Sequence, residues 1–225
     1  MKNTVVGARL RTLGLLLVVA VLGIGVAEAR RHHDSRPADN APGRFDYYLL
    51  SLSWSPAYCV LHPGDGAQCN GQGFGFVLHG LWPQFDAGGY PQSCGGGISP
   101  EALALGNRIY PSPALVRHEW ERHGSCSGLS PTEYFQTADR ALAVVKTPAI
   151  FETPRADRLL TVRQIRAAFQ DANPALPMNA ISVNCGRAEL SEVRVCLTRD
   201  LRPRACGRDV RDSCPSRAVR VRAAR

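Results

Sequence analysis

The sequence predicts one exported, disulfide-bonded domain in which short strands and capped amphipathic helices both occur. Three observations carry this. The N-terminus has the build of a secretory leader: Lys2, Arg9 and Arg11, an apolar run from Leu13 to Val26, then Ala27-Glu28-Ala29 with small residues at the −3 and −1 positions. That run is too short for a comfortable membrane span. All eight cysteines follow the leader, and an even number in an exported chain argues for four disulfides rather than a metal site, since no Cys-x-x-Cys pair occurs. Finally, removing residues 1–29 leaves 196 of 225 residues, room for one domain with a sizeable core.

Charge narrows the partners. Losing the leader removes three basic residues and one acidic residue, so the net charge falls from +8 to +6. Lys146 is the only lysine left, and the basic character is arginine. A basic exported domain suits a polyanion, either nucleic acid or an acidic envelope surface. Arginine richness equally fits a GC-rich genome.

The elements follow in order. Residues 30–43 are polar and proline-containing and predict a disordered arm. Phe45 to Trp54 reads as a strand, closed by Ser55-Pro56. His62 to Gln72 reads as a Gly-rich loop. Phe74 to His79 reads as a short, mostly apolar strand, hence central, running into Gly80-Leu-Trp-Pro-Gln84. Phe85 to Ser99 is loop, and Glu101 to Arg108 is helical. Ser112-Pro113 opens a further helix, with an N-cap and proline at N1, and Gly124 stops it. Ser130-Pro-Thr-Glu133 caps an amphipathic helix, and Thr161 to Ala172 forms another with Val162, Ile165, Ala168 and Phe169 inward. Ile181 to Cys185 and Glu189 to Thr198 are strands, the second with Leu190, Val193, Val195 and Leu197 apolar. Residues 216–225 read as a flexible, Arg-rich tail, either inert or attracted to RNA or anionic lipid.

The helix from Ser112 holds the densest chemistry. His118, Glu119, Arg122 and His123 fall within six positions, and on a helix they share one broad face. A solvated face normally scatters Glu against Lys or Arg. Two of the chain's six histidines in one place is not what such a face predicts.

Two stretches, His79-Gly-Leu-Trp-Pro-Gln84 and His118-Glu-Trp-Glu-Arg-His-Gly-Ser-Cys126, resemble the two active-site segments of the secreted T2-type ribonucleases. Ser51 to Cys59 resembles that family's first strand and turn, and the late cysteines resemble its C-terminal pattern, so the likeness covers Phe45 to Cys214. The resemblance implies an α+β fold with a central, mainly antiparallel sheet flanked by helices, a class the element order accommodates without establishing. It implies an endoribonuclease that needs no cofactor and takes RNA as its substrate; the short, Arg-containing leader with its Ala-x-Ala site looks bacterial, so a periplasmic or secreted monomer without stable membrane insertion is expected. The catalytic domain would span 44–215.

The residues suit that chemistry. Attack of a 2′-hydroxyl on the adjacent phosphorus needs a base, an acid for the departing 5′-oxygen, and stabilisation of a crowded dianion. By family analogy His123 is the base and His79 the acid, with Glu119 the third catalytic residue. His118 would bind phosphate, and Arg122, where the family usually has lysine, would sit against the equatorial oxygens. Trp82 moves toward the cleft by the same resemblance, with Gln84 and Tyr90 as further candidates for a base pocket, while Trp120 stays in the core. Arg117 and Glu121 are solvated. The implied disulfides are Cys59–Cys69, Cys94–Cys126, Cys185–Cys214 and Cys196–Cys206.

Two rival readings suit the sequence less well. A metal-dependent hydrolase fits poorly, because the histidines lie five apart where the zinc helix motif needs four. On a helix that step splays the rings by about 140°. A secreted binding protein with a dead site would lack one of the two key histidines, and both are present.

Overall fold

The computed structural model describes residues 40–152 and 154–224. The expected leader, 1–29, and most of the expected arm lie outside these. Within them, Ser55-Pro56 closes strand β1 (Tyr47–Trp54) as expected and opens helix α1 (Ser55–Leu61), with Pro56 in the first turn. A single turn, α2 (Gly66–Cys69), interrupts the Gly-rich segment. The remaining elements are β2 (Phe76–Gln84), α3 (Pro100–Ile109), α4 (Pro113–Arg122), α5 (Pro131–Val144), β3 (Arg158–Leu160), α6 (Val162–Ala172), β4 (Ile181–Gly186), β5 (Glu189–Leu197) and β6 (Val219–Val221). The serine and threonine caps sit where expected. Ser112 accepts from the Leu115 N–H, and both Ser130/Glu133 and Thr161/Gln164 form reciprocal capping boxes.

The sheet is mainly antiparallel, as expected for α+β. β2, β1, β5 and β4 form an antiparallel run. The short β6–β3 pair joins β5 through one parallel contact, Glu189 with Arg220. β1 sorts its side chains strictly. Leu50, Leu52 and Trp54 enter the main core with Val193, Val195, Phe135 and Phe169, whereas Leu49, Ser51 and Ser53 face the other way.

Two expectations are corrected. β2 is an edge strand, not a central one. Pro83 within it is the reason it must be, since proline cannot donate to a second neighbour. Its apolar character comes from helices laid over it, and the Tyr134 hydroxyl donates to the Leu81 carbonyl at 2.9 Å.

The second correction is the C-terminal tail. Residues 216–224 are not a loose end, because Val219-Arg-Val-Arg-Ala is an alternating strand pattern. Val219, Val221 and Ala223 are buried. The Trp54 indole donates to the Arg222 carbonyl at 3.1 Å, and the Arg222 guanidinium grips Glu189 at 2.5 and 2.7 Å. The domain therefore extends past 215. At the other end, residues 40–43 of the expected arm are tied down. The Gly43 N–H donates to the Cys126 carbonyl and Asn40 accepts from the Gln92 N–H.

All four disulfides implied by the resemblance form: Cys59–Cys69, Cys94–Cys126, Cys185–Cys214 and Cys196–Cys206.

Candidate active site

His79 is placed by a break in register. Ser51 pairs with Gly80 and Leu52 with Leu78, so β2 carries one extra residue there, and that residue is His79. A bulge turns a side chain out of the regular alternation. The ring nitrogen Nδ1 meets Glu192 Oε1 at 2.5 Å. A carboxylate only accepts, so Nδ1 carries the proton and Nε2 is left for a ligand.

Trp82, three residues on, stands between the two halves of the site. Its ring centroid lies 5.0 Å from that of His79 and 5.1 Å from that of His123. Its indole N–H donates to Glu119 Oε2 at 2.7 Å. Gly80 is obligatory in this arrangement, since a Cβ there would collide with both Glu119 Oε2 and Trp82 Nε1.

α4 supplies the opposite wall, though not as one helical face. His123 is the residue that ends the helix, with φ −123° and ψ −53°, and the chain tightens into a 3₁₀ turn at Gly124–Cys126. Glu119 and His123 are buried while His118 is exposed. Because His123 is not helical, its ring escapes the angular divergence expected from a five-residue helical step. The nitrogen and oxygen donors of His118, Glu119 and His123 in fact gather within 4.8 Å of one another. Cys94–Cys126 and the Ser93 N–H to Arg122 carbonyl bond anchor this end of α4 to the loop after β2.

Burial disfavours the cation at both histidines, and their neighbours drive the two apart in proton affinity. For His123, burial and then the nearby His118, Arg122 and His79 cations depress the imidazole to about 3. For His79, burial also disfavours the cation, but the hydrogen bond and charge of Glu192, reinforced by Glu119, outweigh it and hold the ring above its ordinary value. Glu119 is wholly buried, and desolvation lifts its carboxyl to about 8 despite the opposing pull of His79 and the Trp82 N–H. Glu119 Oε1 and His123 Nδ1 are buried without a hydrogen-bond partner among the described residues.

The weaker candidates divide. The Tyr90 ring lies 5.6 Å from that of His123, at the site. Gln84 does not face it. It is 4% exposed at the end of β2, its amide turned onto the Pro83 carbonyl. Trp120 is core, as expected, donating to the Gly96 carbonyl at 3.0 Å, and Arg117 and Glu121 are exposed. The Arg122 guanidinium makes no ion pair among the described residues. Glu192 belongs to no motif and was not anticipated. Its only trace in the sequence is the parity break from Leu190 to Val193, where Ser191 is the extra residue of a second bulge.

Beside His79 and His118 opens a cavity of about 580 Å³, lined also by Tyr58, Leu61 and Arg187. Among the described residues no helix is long and apolar enough to cross a membrane.

Comparison with known proteins places this architecture. A ribonuclease from Aeromonas hydrophila is 50% identical over 102 residues, 45% of this chain and 46% of that protein. A probable ribonuclease from Haemophilus influenzae is 37% identical over 126 residues, 48% of this chain and 46% of its own length. The matches thus span about half of these relatives. An RNase-related protein from Calystegia sepium shares the fold, with a TM-score of 0.61 at 22% identity, over 80% of this chain and 97% of that one. The model of the Ribonuclease T2 family matches residues 45–206, both histidine segments included, and the chain belongs to that family.

Proposed function

We propose that the chain is an exported endoribonuclease that cleaves single-stranded RNA by transesterification, using His123 as base and His79 as acid and no metal. The observation that carries this is that His79 and His123 flank Trp82, their rings 5.0 and 5.1 Å from it, with the Glu192 carboxylate on Nδ1 of the first and no partner on Nδ1 of the second among the described residues. One ring is held neutral and the other is favoured as the cation. A pair whose environments push their pKa values apart is what a base and an acid working together require.

Neutral His123 takes the proton of the 2′-hydroxyl as its oxygen attacks phosphorus. The bond from phosphorus to the 5′-oxygen breaks, and protonated His79 supplies the proton that oxygen needs. The products are a 2′,3′-cyclic phosphate and a 5′-hydroxyl. Water then opens the ring with the two roles reversed. Arg122 supplies positive charge to the non-bridging oxygens, and His118 binds phosphate as a cation or hydrogen-bond donor. Glu119 is neutral below about pH 8. Its Oε2 accepts from Trp82, so the proton sits on Oε1, the oxygen without a partner, which can donate to a phosphoryl oxygen. Trp82 and Tyr90 offer aromatic surface for a base. Leader and disulfides support a periplasmic or secreted location, and the protein acts as a monomer.

The gathering of His118, Glu119 and His123 favours one second reading, a divalent metal held by these three. One experiment separates the two. Oxidised mature protein is given a short RNA in excess EDTA, alongside the same oligonucleotide with one 2′-deoxy sugar. A cyclic phosphate end and a resistant deoxy position are expected. Loss of cleavage in EDTA would favour the metal reading, and cutting at the deoxy position would refute the two-histidine mechanism.

A further inference from the structure

We infer that Glu192 is the positioning residue of His79, fixing through Nδ1 which ring nitrogen meets the substrate. The inference rests on the acid role given to His79 above. It starts from register. Glu192 pairs with Ser53 across β1–β5, and His79 bulges from β2 on the far side of β1. The two side chains therefore meet across an intervening strand. Neighbouring strands lie about 4.8 Å apart, so the two side chains reach over roughly twice that. Small residues at Ser51 and Ser53, on the face of β1 turned away from the main core, leave the room.

Both carboxylate oxygens are committed. Oε1 takes the His79 Nδ1–H at 2.5 Å, while Oε2 takes the Arg194 Nε–H at 2.8 Å and lies 2.6 Å from its Nη2. Arg194 in turn lies over the Trp82 ring, 5.3 Å from its centroid. Arg194 fixes Glu192, and Glu192 fixes His79. The charged and titratable groups facing His79 are Glu192 and Arg194 from β5, Glu119 from α4 and His123 beyond its end. The Glu192 carboxylate prevails, so the ring keeps its proton higher in pH than a free imidazole. An acid that must give a proton to a departing alkoxide needs both the free Nε2–H and that retention.

The test compares two substrates in EDTA. One is an oligoribonucleotide. The other is a uridine 3′-(4-nitrophenyl phosphate), whose phenolate leaves without a proton. Glu192→Gln keeps an acceptor for Nδ1–H and removes the charge. For RNA, the alkaline limb of kcat/KM is expected to move down by about one pH unit, a loss of about tenfold above it. The aryl ester should be cleaved within about twofold of wild type. Glu192→Asp, which keeps the charge, should restore the position of the limb, and its activity guards against a Gln variant that does not fold. An unmoved limb, or equal losses on both substrates, would overturn the inference and leave Glu192 a structural tie between β2 and β5. His79→Ala is the control for the underlying mechanism. It should lose at least about a hundredfold on RNA and spare the aryl ester. Equal losses on both substrates would remove the acid role of His79, and the role of Glu192 with it.

Discussion

Glutamine in place of Glu119 should make the fold progressively more stable than wild type as the pH rises. Glu119 has no solvent exposure, and in the native state its carboxyl keeps its proton to about pH 8 against an ordinary 4.5. Between those values the unfolded chain has released that proton and the folded one has not. The folded state therefore binds more protons, and wild type loses stability as pH climbs. At about 1.4 kcal/mol per pH unit, the full window amounts to roughly 5 kcal/mol. Glu119→Gln abolishes this titration, while the amide oxygen still accepts from the Trp82 N–H. Urea unfolding of both proteins from pH 4 to 9 measures the effect. His123, depressed to about 3, favours the fold above its unfolded value of 6.5 and weakens it as pH falls, but it does so in both proteins and cancels in the difference. The advantage of the variant should be small at pH 4 and reach roughly 3–5 kcal/mol at pH 9, a midpoint shift of about 2 M urea. A difference that stays flat across this range would mean that native Glu119 ionises like a solvated carboxylate, and its role as a proton donor to phosphate would fall.

Three further outcomes are expected. Cys94→Ser should lose about 3–4 kcal/mol on the chain-entropy model and lose activity too, because the disulfide ties the loop after β2 to the end of α4; equal melting temperature and equal activity would refute this. Deleting residues 216–225 removes the buried Val219 and Val221. At about 1.5–3 kcal/mol for each, the melting temperature should fall sharply, whereas a merely cationic tail would change only the salt dependence of RNA binding. Finally, kcat/KM should form a plateau. His123 is neutral as a base above about pH 3 and His79 stays protonated beyond its ordinary 6.5, so the plateau should extend well into acid. An acid limb near 6.5 would show His123 behaving as a solvated imidazole.

The elements whose signals are local were legible in the sequence. Ser112-Pro113, Ser130/Glu133 and Thr161/Gln164 announce their helices because capping is settled within one turn. The segments that hold His79, Glu119, His123, His118 and Arg122 stood out as two contiguous motifs, and the fold brings them to one place. What escaped was set by the third dimension. The placement of β2 at an edge depends on which strand pairs with it, and only Pro83 hinted at the answer. The strand at Val219 was hidden behind its arginines, although its alternation was present in the sequence. Helical geometry was extended one residue too far at His123, and that single residue changes how close its ring comes to His118 and Glu119. Gln84 shares a motif with His79 but turns onto its own strand. Glu192 carried no motif at all, because its partner lies more than a hundred residues away in the chain.

On the proposed mechanism, the same burial that suits Glu119 and His123 to their roles also weakens the fold around them. A solvated Glu119 would be ionised at neutral pH and could not donate a proton to phosphate. A solvated His123 would be partly protonated and a poorer base. Keeping both uncharged requires leaving Glu119 Oε1 and His123 Nδ1 without partners among the described residues, each a buried polar atom that costs about 1–3 kcal/mol. The surroundings must therefore be held rigidly enough that neither group can turn toward water. Trp120 and Tyr134 pack where a side chain on Gly124 would otherwise lie, and Cys94–Cys126 closes the loop beyond them. Substitutions that loosen this frame should thus let Glu119 ionise and His123 protonate, and activity should fall before the fold is lost.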